Sequence, residues 1–318
     1  MRAFAVLLFV ALLMLGERVS SQTTRTIKII VPFAPGGSAD FLARLLAEQV
    51  GRAYQGPTIV IESRPGAGTV IGTEAASRAT PDGNTLLINA GGNLLISPHV
   101  RKVNFDPLTS FEPVCKLVSF PNVIAVNSLS PYRTLNDLIG AASSKPGELT
   151  VASPGPASDS QIAFEKLKRA ANIHMTFVPY PGAAPAINAL LGGHVTSAIS
   201  SYGPMAEQAK AGKLRILATT TRTRIESLPE VPTVAEFGYK DYEVDVWWGL
   251  FAPAKTPKES VSQLIDWFGA ALQAPEIAPK LLAQGLFPAK MCGPDFAALI
   301  RKQYDDFGDI IREAGIKE

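Results

Sequence analysis

The residues best suited to chemistry are few and scattered. His99, His174 and His194 could each serve as a general base, yet none has a sequence-adjacent partner to orient it. Cys115 and Cys292 are the only cysteines, and neither a CxxC nor an HxxxH spacing occurs, so no metal centre is expected. Asp305-Asp306-x-x-Asp309 could resemble metal carboxylates, but its helical spacing reads as a solvated helix face. There is no GxSxG elbow and no P-loop. Gly66-Ala67-Gly68-Thr69-Val70-Ile71-Gly72 follows a strand pattern and opens a helix, in the manner of a dinucleotide loop. Its third Gly is one position late, and the next strand ends in Asn89 without an acid for a ribose. No cofactor is expected.

Gly- and Ser-rich loops directly before helical patterns are frequent instead. They are Ala34–Asp40, Arg64–Thr69, Ala90–Asn93, Ser153–Ser160 and Pro181–Ala184. Free backbone N–H groups at helix starts stabilise anions without a cationic side chain. In an α/β sheet such loops gather at the carboxyl ends of the strands, where ligands bind. The pattern points to a small carboxylated molecule held between two domains.

Alternating strands and helices position these loops. Thr26–Phe33, Thr58–Ile61 and Thr85–Asn89 read as strands, with a helix from Ser38 carrying Phe41, Leu42, Leu45, Leu46 and Val50 on one stripe. Further along, Asn122–Val126, Leu149–Ser153, Thr176–Pro179, Val195–Ser200 and Leu214–Thr219 read as strands. Helices are expected over Leu135–Ala142, Ser160–Ala171, from Pro185, Pro204–Ala211, Lys258–Gln273 and Pro294–Ala314. Such alternation predicts an α/β protein with mostly parallel sheets flanked by helices.

With 318 residues the chain exceeds one ordinary core and suits two domains. Apolar residues at 47% and charged residues at 18% exclude intrinsic disorder. A net charge of +2 removes the basic field expected of a nucleic-acid binder. Arg2 followed by the apolar run Ala3–Leu15 reads as a secretory signal peptide, residues 1–21, cleaved near Ser21/Gln22. The run is short for a membrane span. Export permits a disulfide, but sequence does not give the Cα separation of Cys115 and Cys292. Two free thiols are expected, with Cys115 a small buried hydrophobe. Trp247-Trp248 reads as core.

Several blocks then carry a resemblance. Val31-Pro-Phe-Ala-Pro-Gly-Gly-Ser-Ala-Asp40 resembles the first signature of the Bug (TctC-type) solute-binding proteins. Ser63-Arg-Pro-Gly-Ala-Gly68, Pro81-Asp-Gly-Asn-Thr-Leu-Leu87, Val178-Pro-Tyr-Pro-Gly182 and Pro185-Ala-Ile-Asn-Ala-Leu-Leu-Gly-Gly193 follow in family order. So do Leu228-Pro-Glu-Val-Pro-Thr-Val-Ala-Glu236 and Trp248-Gly-Leu-Phe-Ala-Pro253. The resemblance implies a periplasmic, monomeric binding protein of a tripartite tricarboxylate transporter, with large and small permease subunits as partners. It implies a two-domain Venus-flytrap fold: residues 22–120 plus 226–318 as domain 1 and 121–225 as domain 2. The crossings are expected near Phe111–Asn122 and Thr219–Leu228. Ligands of the family are dicarboxylates, tricarboxylates, acidic amino acids or aromatic acids.

Carried onto this chain, the carboxylate loop is Ala34, Pro35, Gly36, Gly37, Ser38 and Ala39, with Asp40 organising the loop or its waters. The opposing loop supplies Ser153, Gly155, Ser158 and Gln161. Ala90, Gly91, Gly182, Ala183, Ser200 and Trp248 complete the candidate ligand residues. The chain departs from the family pattern at Ala157, where a Gly is usual, at Gln161, where a His is usual, and at Thr196, where an acid is usual. The expected function is capture of a small carboxylate without catalysis. A ligand-presenting sensor for a membrane kinase, or a secreted α/β hydrolase or lyase, are the alternatives.

Overall fold

Near-continuous burial along the central strands builds two sheets, each with apolar residues on both faces. The structure is a computed structural model that describes residues 25–54, 57–225 and 228–317. The expected signal peptide, residues 1–21, lies outside the described residues. The first sheet contains β1 (Thr26–Val31), β2 (Thr58–Ser63), β3 (Thr85–Ala90), β4 (Phe111–Ser119), β10 (Trp247–Pro253) and β11 (Phe287–Cys292), in the order β11-β4-β10-β3-β1-β2. The second contains β5 (Asn122–Asn127), β6 (Thr150–Pro154), β7 (Thr176–Tyr180), β8 (Ser197–Ser201) and β9 (Leu214–Thr219), in the order β7-β6-β8-β5-β9.

Helices α1 (Ser38–Tyr54), α2 (Val70–Ser77), α3 (Gly91–Val100), α8 (Lys258–Gln273), α9 (Ile277–Leu282) and α10 (Pro294–Ala314) accompany the first sheet. Helices α4 (Leu135–Ser144), α5 (Asp159–Ala171), α6 (Ala183–Leu191) and α7 (Tyr202–Lys210) accompany the second. In α1, Leu42, Leu45, Leu46 and Val50 are buried at helical spacing. Thr134 and Asp137 form a capping box at the start of α4. The expected opening of α6 at Pro185 moves two residues earlier, to Ala183, with Pro185 still inside the first turn.

Both sheets are mixed, whereas mostly parallel ones are expected from the alternation. β1 pairs in parallel with β2 and β3, and β6 with β7 and β8. β4, β10 and β11 join the first sheet antiparallel, as does β5 in the second. β5 and β10, which enter their sheets from the other lobe, run against the βαβ strands, whereas β4, antiparallel to β10, runs parallel to them. None of β4, β10 and β11 stands out in the sequence as a strand, because they lack a clean alternation.

The chain leaves the first sheet at Phe120–Pro121, between β4 and β5. It does not return at Thr219–Leu228. Thr219 bridges Thr233, the Thr219 N–H donates to Pro232 O, and Leu228 and Val231 cluster with Tyr202 and Ile216 of the second lobe and with Phe287 of the first. The return runs beside the outgoing crossing, where the Val244 N–H donates to Thr220 O at 2.8 Å and the Phe120 N–H to Val246 O at 2.9 Å. The Pro-rich stretch after Leu228 carries no periodicity that would assign it to either sheet.

One face of the first sheet packs Ile27, Ile29, Leu86 and Leu250 against Leu42, Leu46, Leu264 and Phe268. Its other face, with Leu87, Leu94, Trp247 and Phe296, merges with Ile124, Phe164, Leu167 and Ile199 of the second lobe in one cluster. The salt bridges Lys166–Asp306 (3.3 Å) and Arg169–Glu313 (2.8 Å) also join α5 to α10.

The expectation of two free thiols is wrong. Cys115 and Cys292 form a disulfide, with Cα atoms 4.0 Å apart. β11 pairs antiparallel with β4 and sets Cys292 directly opposite Cys115. That register joins residues 177 positions apart and is invisible in sequence.

Candidate functional site

β1 ends at Val31, and Pro35 helps turn the chain into α1. Residues Ala34 to Ser38 are exposed, while Ala39 and Asp40 are buried. Gly36 has φ +82°, a left-handed conformation that a Cβ would strain, whereas Gly37 has no such φ. Asp40 folds back on its own loop and helix. Its Oδ2 accepts from the Gly36 N–H at 3.1 Å and from Arg44 Nε at 2.9 Å. The Arg44 guanidinium, helped by the Gly36 amide and opposed by burial, holds the Asp40 carboxyl below the ordinary range. Asp40 Oδ1 is buried and has no partner among the described residues.

The second lobe offers the turn between β6 and α5. Ser158 is the N-cap of α5, and its Oγ accepts from the Gln161 N–H at 3.3 Å. The same hydroxyl donates to Gly155 O and lies 3.4 Å from Ser153 Oγ. Gln161 reaches back, its Oε1 accepting from the Ala157 N–H at 2.8 Å. Its carbonyl thus holds the loop. Ala157 keeps φ +48° without the usual Gly, at a cost of about 1–2 kcal/mol. Gly182 is the N-cap of α6, and Ala183 is its first residue.

Ala90 and Gly91 lie at the junction of β3 and α3. They are buried, and a Cβ on Gly91 would meet the Trp247 ring at 2.6 Å. Gly91 therefore serves close packing. Trp247 Nε1 donates to Gln303 Oε1 at 2.7 Å, and Gln303 Nε2 to Asp245 O at 3.0 Å. The half-buried Trp248 lies between Phe33 (ring centroids 6.0 Å) and Phe120 (5.2 Å), joining the end of β1 to the crossing. Ser200 is buried opposite Val123 in the β5–β8 ladder. The Arg64–Thr69 loop has positive φ from Gly66 to Thr69 and is held to α3 by Asn93 Nδ2 and by Arg101, which donate to Gly68 O and Ala67 O.

Some residues escaped the sequence reading. Asn122 starts β5 and is buried, its Oδ1 accepting from Ser160 at 3.3 Å and Ser201 at 3.5 Å. Its Nδ2 has no partner among the described residues. Asp159 meets Gly92 of α3 across the lobes. Asn122 belongs to no Gly-rich motif, and Asp159, though inside the Ser153–Ser160 loop, carries no local signal of a contact with the other lobe, so only placement marks them.

A cavity of about 600 Å³ lies between α5, the 238–242 loop and α10. None of the sequence candidates lines it, and its Lys166 and Arg169 already have carboxylate partners. Among the described residues no group of three or more His, Cys, Asp or Glu could hold a metal, and no helix is long and apolar enough to cross a membrane.

Comparison with known proteins gives a consistent result. A family model described as the tripartite tricarboxylate transporter family receptor, TctC, matches residues 42–316. Protein BugT of Bordetella pertussis is 31% identical over 324 residues, spanning 99% of this chain and 98% of BugT. The structure of R. palustris Rpa4515 with adipate superposes with a TM-score of 0.74 at 30% identity, covering 93% of this chain and 99% of that one. MatC from Rhodopseudomonas palustris with bound malate gives a TM-score of 0.70 at 28% identity, covering 91% and 99%. The match over most of its length means that this chain belongs to the TctC receptor family of periplasmic solute-binding proteins.

Proposed function

We propose that the protein captures a small carboxylate between its two lobes, without catalysis, and delivers it as a monomer to a pair of membrane permease subunits, one large and one small. The exposed Gly36–Ser38 turn carries this reading. It opens α1, where the Gly37 and Ser38 amides have no intrahelical partner, while the Gly36 amide and Arg44 engage Asp40. A ligand carboxylate there would meet N–H donors and not an opposing carboxylate. The Ser153–Ser158 turn, likewise at a strand end before a helix, supplies the facing wall. Similarity to proteins solved with adipate and malate supports the ligand class. Export to the periplasm, with cleavage near Ser21/Gln22, belongs to the same reading and rests on Arg2 and the apolar run after it.

The test is a thermal-shift screen against mono-, di- and tricarboxylates, acidic amino acids and aromatic acids. A ligand at 100 times its Kd adds about 2.7 kcal/mol of stability. One class should raise the melting temperature by a few degrees, and a flat response across the panel refutes the reading.

A further inference from the structure

Asp159 opens α5 directly after the Ser158 cap. Its carboxylate reaches the other lobe and packs on Gly92, the second residue of α3, where any side chain would overlap it. α3 starts without a side-chain cap, since Ala90 stands at the N-cap position, and its first turn has no acidic residue. The amide-rich start of α3 therefore faces a carboxyl supplied by the opposite lobe.

We propose that Asp159 is a specificity-determining residue of the cleft: it covers the start of α3 from within, so that the ligand is a monocarboxylate with a hydrogen-bond donor at its far end and not a di- or tricarboxylate. This rests on the carboxylate-capture reading above. A ligand anchored on the Gly36–Ser38 turn and sending a second carboxylate toward α3 would meet a like charge in a site partly closed to water. An amide, hydroxyl or ammonium group in that position would donate to the Asp159 oxygens.

The charge state of Asp159 controls this discrimination. Burial pushes its carboxyl up to about 7, and the charge of Asp245 adds to the effect. Asp245 faces it from the return crossing and is itself ion-paired with Lys116. The first turn of α3 contributes no acid. Above that pH Asp159 is ionised and rejects a second carboxylate. Below it the group is neutral, and the rejection fades.

The experiment uses matched pairs: succinate and succinamate, glutarate and glutaramate, adipate and adipamate. Thermal shift and calorimetry are run at pH 8 and pH 6 on the wild type, Asp159→Asn and Asp159→Ser, with circular dichroism confirming that both variants fold. At pH 8 the wild type should bind at least one monoamide about tenfold or more tighter than its diacid. That ratio should shrink at pH 6 and collapse in both variants. A wild type that prefers the diacid at pH 8, or a ratio unchanged in the variants, overturns the role of Asp159 alone. Binding to none of these acids, nor to any carboxylate of the wider panel, overturns the carboxylate reading and this inference with it.

Discussion

Breaking the Cys115–Cys292 bond should destabilise the protein and leave its ligand site intact. The bond closes a loop of 177 residues that contains the whole second sheet. The chain-entropy relation gives about 5 kcal/mol for a loop of that length, and native disulfides commonly contribute about 2–5 kcal/mol. Cys115 is fully buried, so Cys115→Ala also leaves a small void beside Val114 and Leu117. We expect Cys115→Ala/Cys292→Ala to lose about 3–5 kcal/mol. For a chain of this size that is roughly 5–8 °C in melting temperature. β11 and β4 form the sheet edge opposite to β1, which carries the Gly36 turn. Ligand affinity should therefore change by less than about threefold. Calorimetric melts of the wild type, the reduced wild type and the double variant provide the assay, with alkylation and mass spectrometry counting thiols. Alkylation of both cysteines in the unreduced native protein, or a double variant that melts within a degree of the wild type, would refute the reasoning.

Gly36→Val, at φ +82°, should disturb the turn and weaken carboxylate binding by at least about 100-fold, the loss of two or three bonds to a charged group; calorimetry with the screened ligand checks this, and normal affinity contradicts it. Lys116→Met should cost about 3–5 kcal/mol, because Lys116 and Asp245 are a buried ion pair with side chains 7% and 12% exposed. Lys116→Met/Asp245→Leu should recover most of that loss in urea denaturation, and a double variant as unstable as the single one would show that the pair does more than balance charge.

Much of the architecture is legible in sequence where the physics is local. The βαβ units of both lobes announce themselves by apolar periodicity and Gly or Pro punctuation. α8 and α10 match their expected limits, Lys258–Gln273 and Pro294–Ala314. The Gly36 turn is also readable, because a Gly-rich break between a strand and an amphipathic helix is a local signal. β4, β10 and β11 are not readable in this way, since their pairing joins segments far apart in the chain. The stretch after Thr219 looks like the return to the first lobe, yet its hydrogen bonds, Thr219 N–H to Pro232 O and Tyr242 Oη to Ala163 O, keep it with the second.

Sequence by itself determined the two-unit α/β plan, the absence of a recognisable catalytic set and the Gly- and Ser-rich loops at helix starts. These follow from side-chain type and short spacing. Tertiary structure alone decided the Cys115–Cys292 pairing, the burial of Asn122, the packing of Gly91 on Trp247 and the meeting of Asp159 with Gly92. Each depends on strand register or on the approach of the two lobes. Such distances are set by the whole core, and no window of neighbouring residues contains them.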